Sequence, residues 1–345
     1  MYNCKAFTNH LCLNVSGSLQ PCCRFEGSSF QFNYKLPDYS NLKIVNDWVV
    51  GCEKCKLEED TFTKQSYRQY LNSILQDTNK IEYLELSLDN TCNLICKMCN
   101  PSSSSSWQDL IDRNNSLTNY ISIKYNQKNE INIDKLFNEI DLSELKYVKY
   151  LGGEPFISLK IENLFKKLKE YNLINKITFI TNTNLTFFPS KLITYLESFK
   201  NVIVAFSIDG IGSLNEYIRY GKSWTINSNT IRLWKNFAKT NNNISFYVHT
   251  TVQAYNLHDL TNIKNFSIEN DLVFNPILLR NPKHLNINVL PLKYIQSIKN
   301  NDNEKYIDNY CFDEVNYVKF INYTKELDRI FNTDYKKINK LCNFY

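Results

Sequence analysis

Residues 87–107, SLDNTCNLICKMCNPSSSSSW, limit what this chain can fold into more than any other stretch, because Cys92, Cys96 and Cys99 stand there in the spacing C-x3-C-x2-C. On a helix rising about 1.5 Å per residue the first and third sulfurs would be roughly 10 Å apart, too far for one compact metal centre. A loop wrapped around the metal fits better, and Asn90, Asn93, Asn100 and Pro101 are the turn-prone residues such a loop uses. Structural zinc and fully ligated iron–sulfur clusters take four protein ligands, whereas three leave a position open for a reactant. The serine run at 102–106 reads as a helix entry with a flexible loop.

From Lys80 onward strand and helix patterns alternate. Strands are expected over 81–88, 147–151, 177–181, 202–208, 244–252 and 272–278, near-continuous apolar runs of the kind buried on both faces of a parallel sheet. Between them lie one-face helical stripes such as Ile161, Leu164, Phe165 and Leu168, with Lys166, Lys167 and Lys169 on the solvated face. Six strands joined by helices imply an α/β fold, a partial (β/α)6 TIM-type barrel over 76–290, with its chemistry at the C-terminal strand ends. The expected frame is completed by a small cysteine-rich metal-binding module over 1–75 and a helical C-terminal segment over 291–345. In that last segment Phe320, Tyr323, Leu327, Ile330 and Phe331 form a core stripe that could close the open side of the barrel. The Asn- and Lys-rich insertion at about 111–142 reads as a lid or an exposed excursion.

At the cysteine loop, with bulky Met98 just before the third cysteine, the chain resembles the radical S-adenosylmethionine (SAM) enzymes. The resemblance extends to Gly152-Gly153-Glu154-Pro155 after the second strand, to Thr181-Asn182-Thr183-Asn184 after the third, and to Ser207-Ile208-Asp209-Gly210 after the fourth. It implies that Cys92, Cys96 and Cys99 hold a 4Fe–4S cluster whose fourth iron binds SAM, and that a 5'-deoxyadenosyl radical then takes hydrogen from substrate. It places Gly152, Gly153 and Glu154 at the SAM ammonium, Asn182 near SAM, and Ser207 at the ribose or methionyl carboxylate. The fixed fork of Arg219 suits that carboxylate. Residues 251–253, Asn256 and residues 273–276 are expected to surround adenine, and a zinc knuckle completed by a distant cysteine is the bland alternative for the loop.

Six of the eleven cysteines precede residue 60. Cys4, Gly17 and Cys22 are spaced C-x12-G-x4-C, and Cys52 and Cys55 form a C-x2-C pair. This resembles the twitch or SPASM auxiliary-cluster module of many radical SAM enzymes, although that module usually follows the barrel, so a permuted arrangement is implied. Gly17 is expected in a hairpin turn between two short strands. Cys4, Cys22, Cys52 and Cys55 are the implied ligands of a second, auxiliary 4Fe–4S cluster, with a four-cysteine zinc site as the alternative. A segment this poor in periodic apolar pattern is expected to need a metal staple. Cys12 and Cys23 are left over, since adjacent residues in an extended segment point opposite ways, and Cys311 and Cys342 have no assigned role.

A formal charge of +5 without a long basic run leaves nucleic-acid binding unsupported. No run of 18 apolar residues and no charged-then-apolar N-terminus is present, so no membrane association and a cytoplasmic location are expected. Clustered C-x2-C cysteines in such a chain point to metal rather than disulfides. The resemblance implies a peptide or protein substrate, from the company auxiliary modules keep, and a reductant such as flavodoxin or ferredoxin. A small-molecule or nucleotide substrate and a non-enzymatic zinc or iron–sulfur module that recruits a partner are the competing readings.

Overall fold

The computed structural model describes residues 3–60, 65–76, 78–121, 130–307 and 310–340; Cys342 lies outside them. In chain order the strands are β1 (His10–Leu13), β2 (Ser18–Gln20), β3 (Phe30–Gln31), β4 (Ile44–Val45), β5 (Trp48–Val49), β6 (Tyr83–Ser87), β7 (Ile95–Cys96), β8 (Tyr147–Leu151), β9 (Thr178–Thr183), β10 (Asn201–Ser207), β11 (Arg219–Tyr220), β12 (Ile244–Val252) and β13 (Val273–Leu278). All six strands expected after residue 80 are present, and the fold is mixed α/β with a largely parallel sheet. Among the described residues no helix is long and apolar enough to cross a membrane.

The chain divides into two compact units. The first comprises Met1–Thr91, Tyr125–Thr181 and Pro189–Ile203. Its strands run in the order β9-β8-β6-β1-β2-β3. β6, β8 and β9 are parallel, β1 joins β6 in parallel, and β2 and β3 follow as antiparallel neighbours. Alternation sends Leu84, Leu86, Val148 and Tyr150 to one face and Tyr83, Glu85, Tyr147 and Lys149 to the other. The helix Leu159–Glu170 buries the expected stripe Ile161, Leu164, Phe165 and Leu168, and Phe165 meets Phe179 of β9 edge-on at 4.9 Å. Tyr83 packs with Ala6, Leu71 and Leu75, so the helix Tyr67–Ile74 and the first residues of the chain cover the other face.

Two expectations change here. The boundary drawn at 75/76 falls inside this unit, because β1 pairs with β6 along four residues and buries His10, Leu11, Cys12 and Leu13. A run of four residues is too short to show periodicity, so its place in a sheet is decided by a partner more than seventy positions away. The insertion is also more than an excursion: the helix Ile133–Glu139 buries Leu136 and Phe137, with Phe137 against Tyr171 at 5.2 Å. Residues 122–129 of the insertion lie outside those described.

The second unit comprises Cys92–Lys124, Asn182–Phe188 and Val204–Tyr345. Its strands run β10-β12-β13, the last pair parallel, with a separate two-stranded ladder between β7 and β11. The C-terminal helix Glu314–Phe331 buries Phe320, Tyr323, Leu327 and Phe331, while Ile330 is half-buried.

Candidate active site

The cysteine loop is irregular apart from the short β7, as its spacing required, and it is fastened by its carbonyls. Ser106 Oγ donates to the Cys92 carbonyl at 2.7 Å and Ser104 Oγ to that of Leu94 at 2.8 Å. Trp107 Nε1 donates to the Cys96 carbonyl at 2.8 Å, and the Tyr323 hydroxyl to that of Lys97 at 2.7 Å. The Cys92 amide donates to Ser105 Oγ at 3.1 Å. The serine run is therefore no flexible loop. Ser104 caps the helix Ser105–Arg113, and its neighbours satisfy the backbone of the cysteine loop.

Within the loop held this way, two of the three thiols touch. Cys96 and Cys99 share a hydrogen bond that holds the Cys99 thiol below its ordinary pKa and, with burial, pushes that of Cys96 up; Cys92 lies within electrostatic reach of Cys99. Among the described residues no three His, Cys, Asp or Glu side chains converge as the ligands of one metal ion would. Asn184 Nδ2 is 3.9 Å from Cys92 Sγ and 3.0 Å from Asn93 Oδ1, and Asn93 Nδ2 reaches Thr186 Oγ1 at 2.8 Å. Lys97 is buried, with Nζ 3.8 Å from the centre of the Tyr217 ring, and burial brings its pKa down to about 7.

Arg219 lies directly opposite Cys96 in the β7–β11 ladder. Its Nη1 is 3.8 Å from Cys96 Sγ and its Nη2 is 2.8 Å from Asp209 Oδ2. Burial pushes the Asp209 carboxyl up, and Arg219 and a 2.6 Å hydrogen bond from the Thr251 amide pull it back. Neither the Asp209 partner nor the sulfur contact was visible in the sequence, where Arg219 read only as a carboxylate-binding fork. Met98, Asn182 and Ser207 are half-buried in the second unit.

In the first unit, the Gly-Gly turn makes its close approach to the chain itself. Gly152 (φ +92°) and Gly153 (φ +34°) pass over the backbone of Asp89 and Thr91, and a Cβ on Gly153 would stand 2.0 Å from the Thr91 carbonyl oxygen. The Glu154 amide donates to that carbonyl at 2.8 Å, while its buried carboxylate caps the turn Pro155–Ile157. The turn thus fixes the residue bonded to Cys92.

The N-terminal cysteines Cys4, Cys22, Cys52 and Cys55 lie in the first unit. Burial, then the neighbouring Cys52 and Cys55, push the Cys4 thiol up to about 12, and Cys22 is raised by burial, then by Cys23, with Glu85 and Cys4 adding less. Cys4 and Cys22 both pack against the Ala6–Leu71–Tyr83 cluster. Gly17 takes φ +72° between β1 and β2, as a hairpin requires. Cys12 and Cys23 are neighbours of Cys22 as well: Cys12 pairs across the ladder with Glu85, and Cys23 Sγ is 3.8 Å from Lys149 Nζ. Glu85 itself bonds Lys149 at 2.9 Å and His10 at 3.3 Å. Burial would raise this carboxylate, but Lys149 and His10 hold it well below the usual range. Cys311 is exposed.

No family model and no curated protein matches the chain. Solved structures do: anSMEcpe with bound AdoMet is 17% identical with a TM-score of 0.42, the match covering 73% of this chain and 62% of that one. Streptococcus suis SuiB bound to S-adenosylmethionine is 14% identical with a TM-score of 0.37, over 73% and 45%. SuiB bound to precursor peptide SuiA is 13% identical with a TM-score of 0.38, over 83% and 61%. This chain spans less than two thirds of each of these chains.

Proposed function

We propose that the protein is a radical SAM enzyme acting on a peptide or protein. The observation that carries this reading is a loop of three thiols whose carbonyls at Cys92, Leu94, Cys96 and Lys97 are each bonded by a side chain. Such a loop spends its backbone on being held still and leaves its sulfurs as the ligating groups. Three thiolates suit a 4Fe–4S cluster with one open iron. When bound, that cluster supplies the electron that splits SAM into methionine and a 5'-deoxyadenosyl radical.

The chain's own residues bind and orient. Cys92, Cys96 and Cys99 hold the cluster. Glu154 accepts from the SAM ammonium, while Met98, Gly152, Gly153, Asn182 and Ser207 line the cofactor, and Arg219 adds a fixed positive charge. The six expected strands are read as a partial TIM-type barrel over 76–290, preceded by the auxiliary module and followed by the helical segment. Cys4, Cys22, Cys52 and Cys55 hold a second 4Fe–4S cluster with no open iron, and a flavodoxin or ferredoxin delivers the electron.

Anaerobic reconstitution with iron and sulfide, followed by SAM and dithionite, tests the reading through release of 5'-deoxyadenosine. Cys96→Ala removes one of three ligands and is expected to abolish that release. Release at the wild-type rate from this variant would sink the assignment.

A further inference from the structure

Arg219 and Asp209 form a buried ion pair, 12% and 0% exposed, set against one of the three loop sulfurs. We propose that this pair sets the reduction potential of the cluster held by Cys92, Cys96 and Cys99, acting through the N–H···S contact to Cys96. The proposal rests on the cluster reading above and assigns the pair a role separate from binding the SAM carboxylate.

The geometry leaves the guanidinium little freedom. Its backbone is registered opposite Cys96, and the Lys97 amide donates to the Ile218 carbonyl at 2.9 Å, so loop and arginine move as one. Asp209 fixes the other side of the fork and is itself fixed three times. Its Oδ1 accepts from the Thr251 amide at 2.6 Å, its amide donates to Asn215 Oδ1 at 3.0 Å, and its carbonyl accepts from Asn256 Nδ2 at 2.9 Å. A fork pinned between a carboxylate and a sulfur is a positioning group that holds charge at a set distance from the metal.

Reduction adds one negative charge to the cluster. A guanidinium beside a ligating sulfur stabilises the reduced form and raises the potential, as hydrogen bonds to cluster sulfurs do. The Asp209 carboxylate works against it, weakly screened because both groups are withdrawn from water. The two members of the pair therefore move the potential in opposite directions.

The test is an EPR-monitored redox titration of the full-length, reconstituted protein, following the signal that changes when SAM is added. Asp209→Asn keeps the shape and removes the opposing charge, so its midpoint is expected to shift positive. Arg219→Gln is expected to shift negative, and Arg219→Lys, which keeps charge but not the fork, to fall between Gln and wild type, each with wild-type iron content. If Arg219→Gln does not fold, Asp209→Asn and Arg219→Lys still decide the sign. Normal signals with unchanged midpoints, or with Asp209→Asn and the arginine variant shifting the same way, overturn the proposal alone. No four-iron signal from the wild-type protein overturns the functional reading and this proposal with it.

Discussion

The contact between the Gly-Gly turn and residues 89–91 shows how a single atom holds that stretch in place. An alanine at 153 would need its Cβ 2.0 Å from a backbone oxygen, at a φ of +34° that L residues rarely adopt. Neither the carbonyl nor the turn can yield cheaply, because the Glu154 amide is bonded to that same oxygen. Gly153→Ala is expected to cost about 1–3 kcal/mol, as overpacking and a strained backbone do. It should lower the melting temperature; a melt matching wild type would show that the turn shifts without penalty. The sequence marked these glycines as a place of close approach, but the thing approached is the chain itself. Arg219 was likewise legible as a fixed fork, while its partner Asp209 was not, because ten residues of sequence say nothing about which strand end faces which.

Elements were more legible than their attachments. β12 spans 244–252 as its apolar run required, and β6, β8, β9, β10 and β13 lie within about two residues of expectation. The expected burial on both faces holds for β6 and β9 but not for β12 and β13, where Ser245 and Val273 are exposed; the serine run had two solutions, and only its partner thirteen residues back decides for a clamp. Trp107 belongs to that clamp, its indole donating to the Cys96 carbonyl. Trp107→Phe keeps the ring but removes one of two donors to the Cys96 carbonyl, which keeps the Cys99 amide at 2.9 Å, a loss expected to cost about 0.5–1.5 kcal/mol. Urea melts check the magnitude, and an unchanged midpoint would mean that water replaces the indole. On the opposite side His284 packs edge-on at 4.8 Å against Tyr323, whose hydroxyl holds the Lys97 carbonyl. Burial, then Lys319, bring the His284 pKa down to about 4 from 6.5, so the folded state takes up its proton later than the unfolded one. Its contribution is complete above pH 6.5 and is lost as the pH falls towards 4, at most about 3 kcal/mol. Wild type should lose stability across that window faster than His284→Gln; parallel curves would show that the ring is not protonated on unfolding.

For the molecule as a whole the open question is what the N-terminal cysteines staple. Sparse apolar periodicity suggested a segment unable to hold itself without metal. Yet β1 is paired with β6, and Leu11 and Leu13 are buried, so the first hairpin has a sheet to rest on. The stretch that lacks such support is narrower. β4 and β5 have two residues each and pair only with one another, with Ile44, Val45 and Val50 exposed. A double variant Cys52→Ser/Cys55→Ser is therefore expected to lose one metal site, keep the loop cluster, and become sensitive to protease between about residues 24 and 52. Residues 10–13 should stay protected. Four thiolates leave no open coordination position, so the site cannot bind SAM directly, and SAM cleavage should survive its loss in part. Elemental analysis after anaerobic purification separates the readings, with about eight irons per wild-type chain expected for two 4Fe–4S clusters. About four irons with one zinc would make the N-terminal site a zinc staple. About four irons and no zinc, with residues 3–60 still ordered, would show that β1 pairing and the Ala6–Leu71–Tyr83 packing hold the segment without metal, and that the auxiliary reading of its cysteines is wrong.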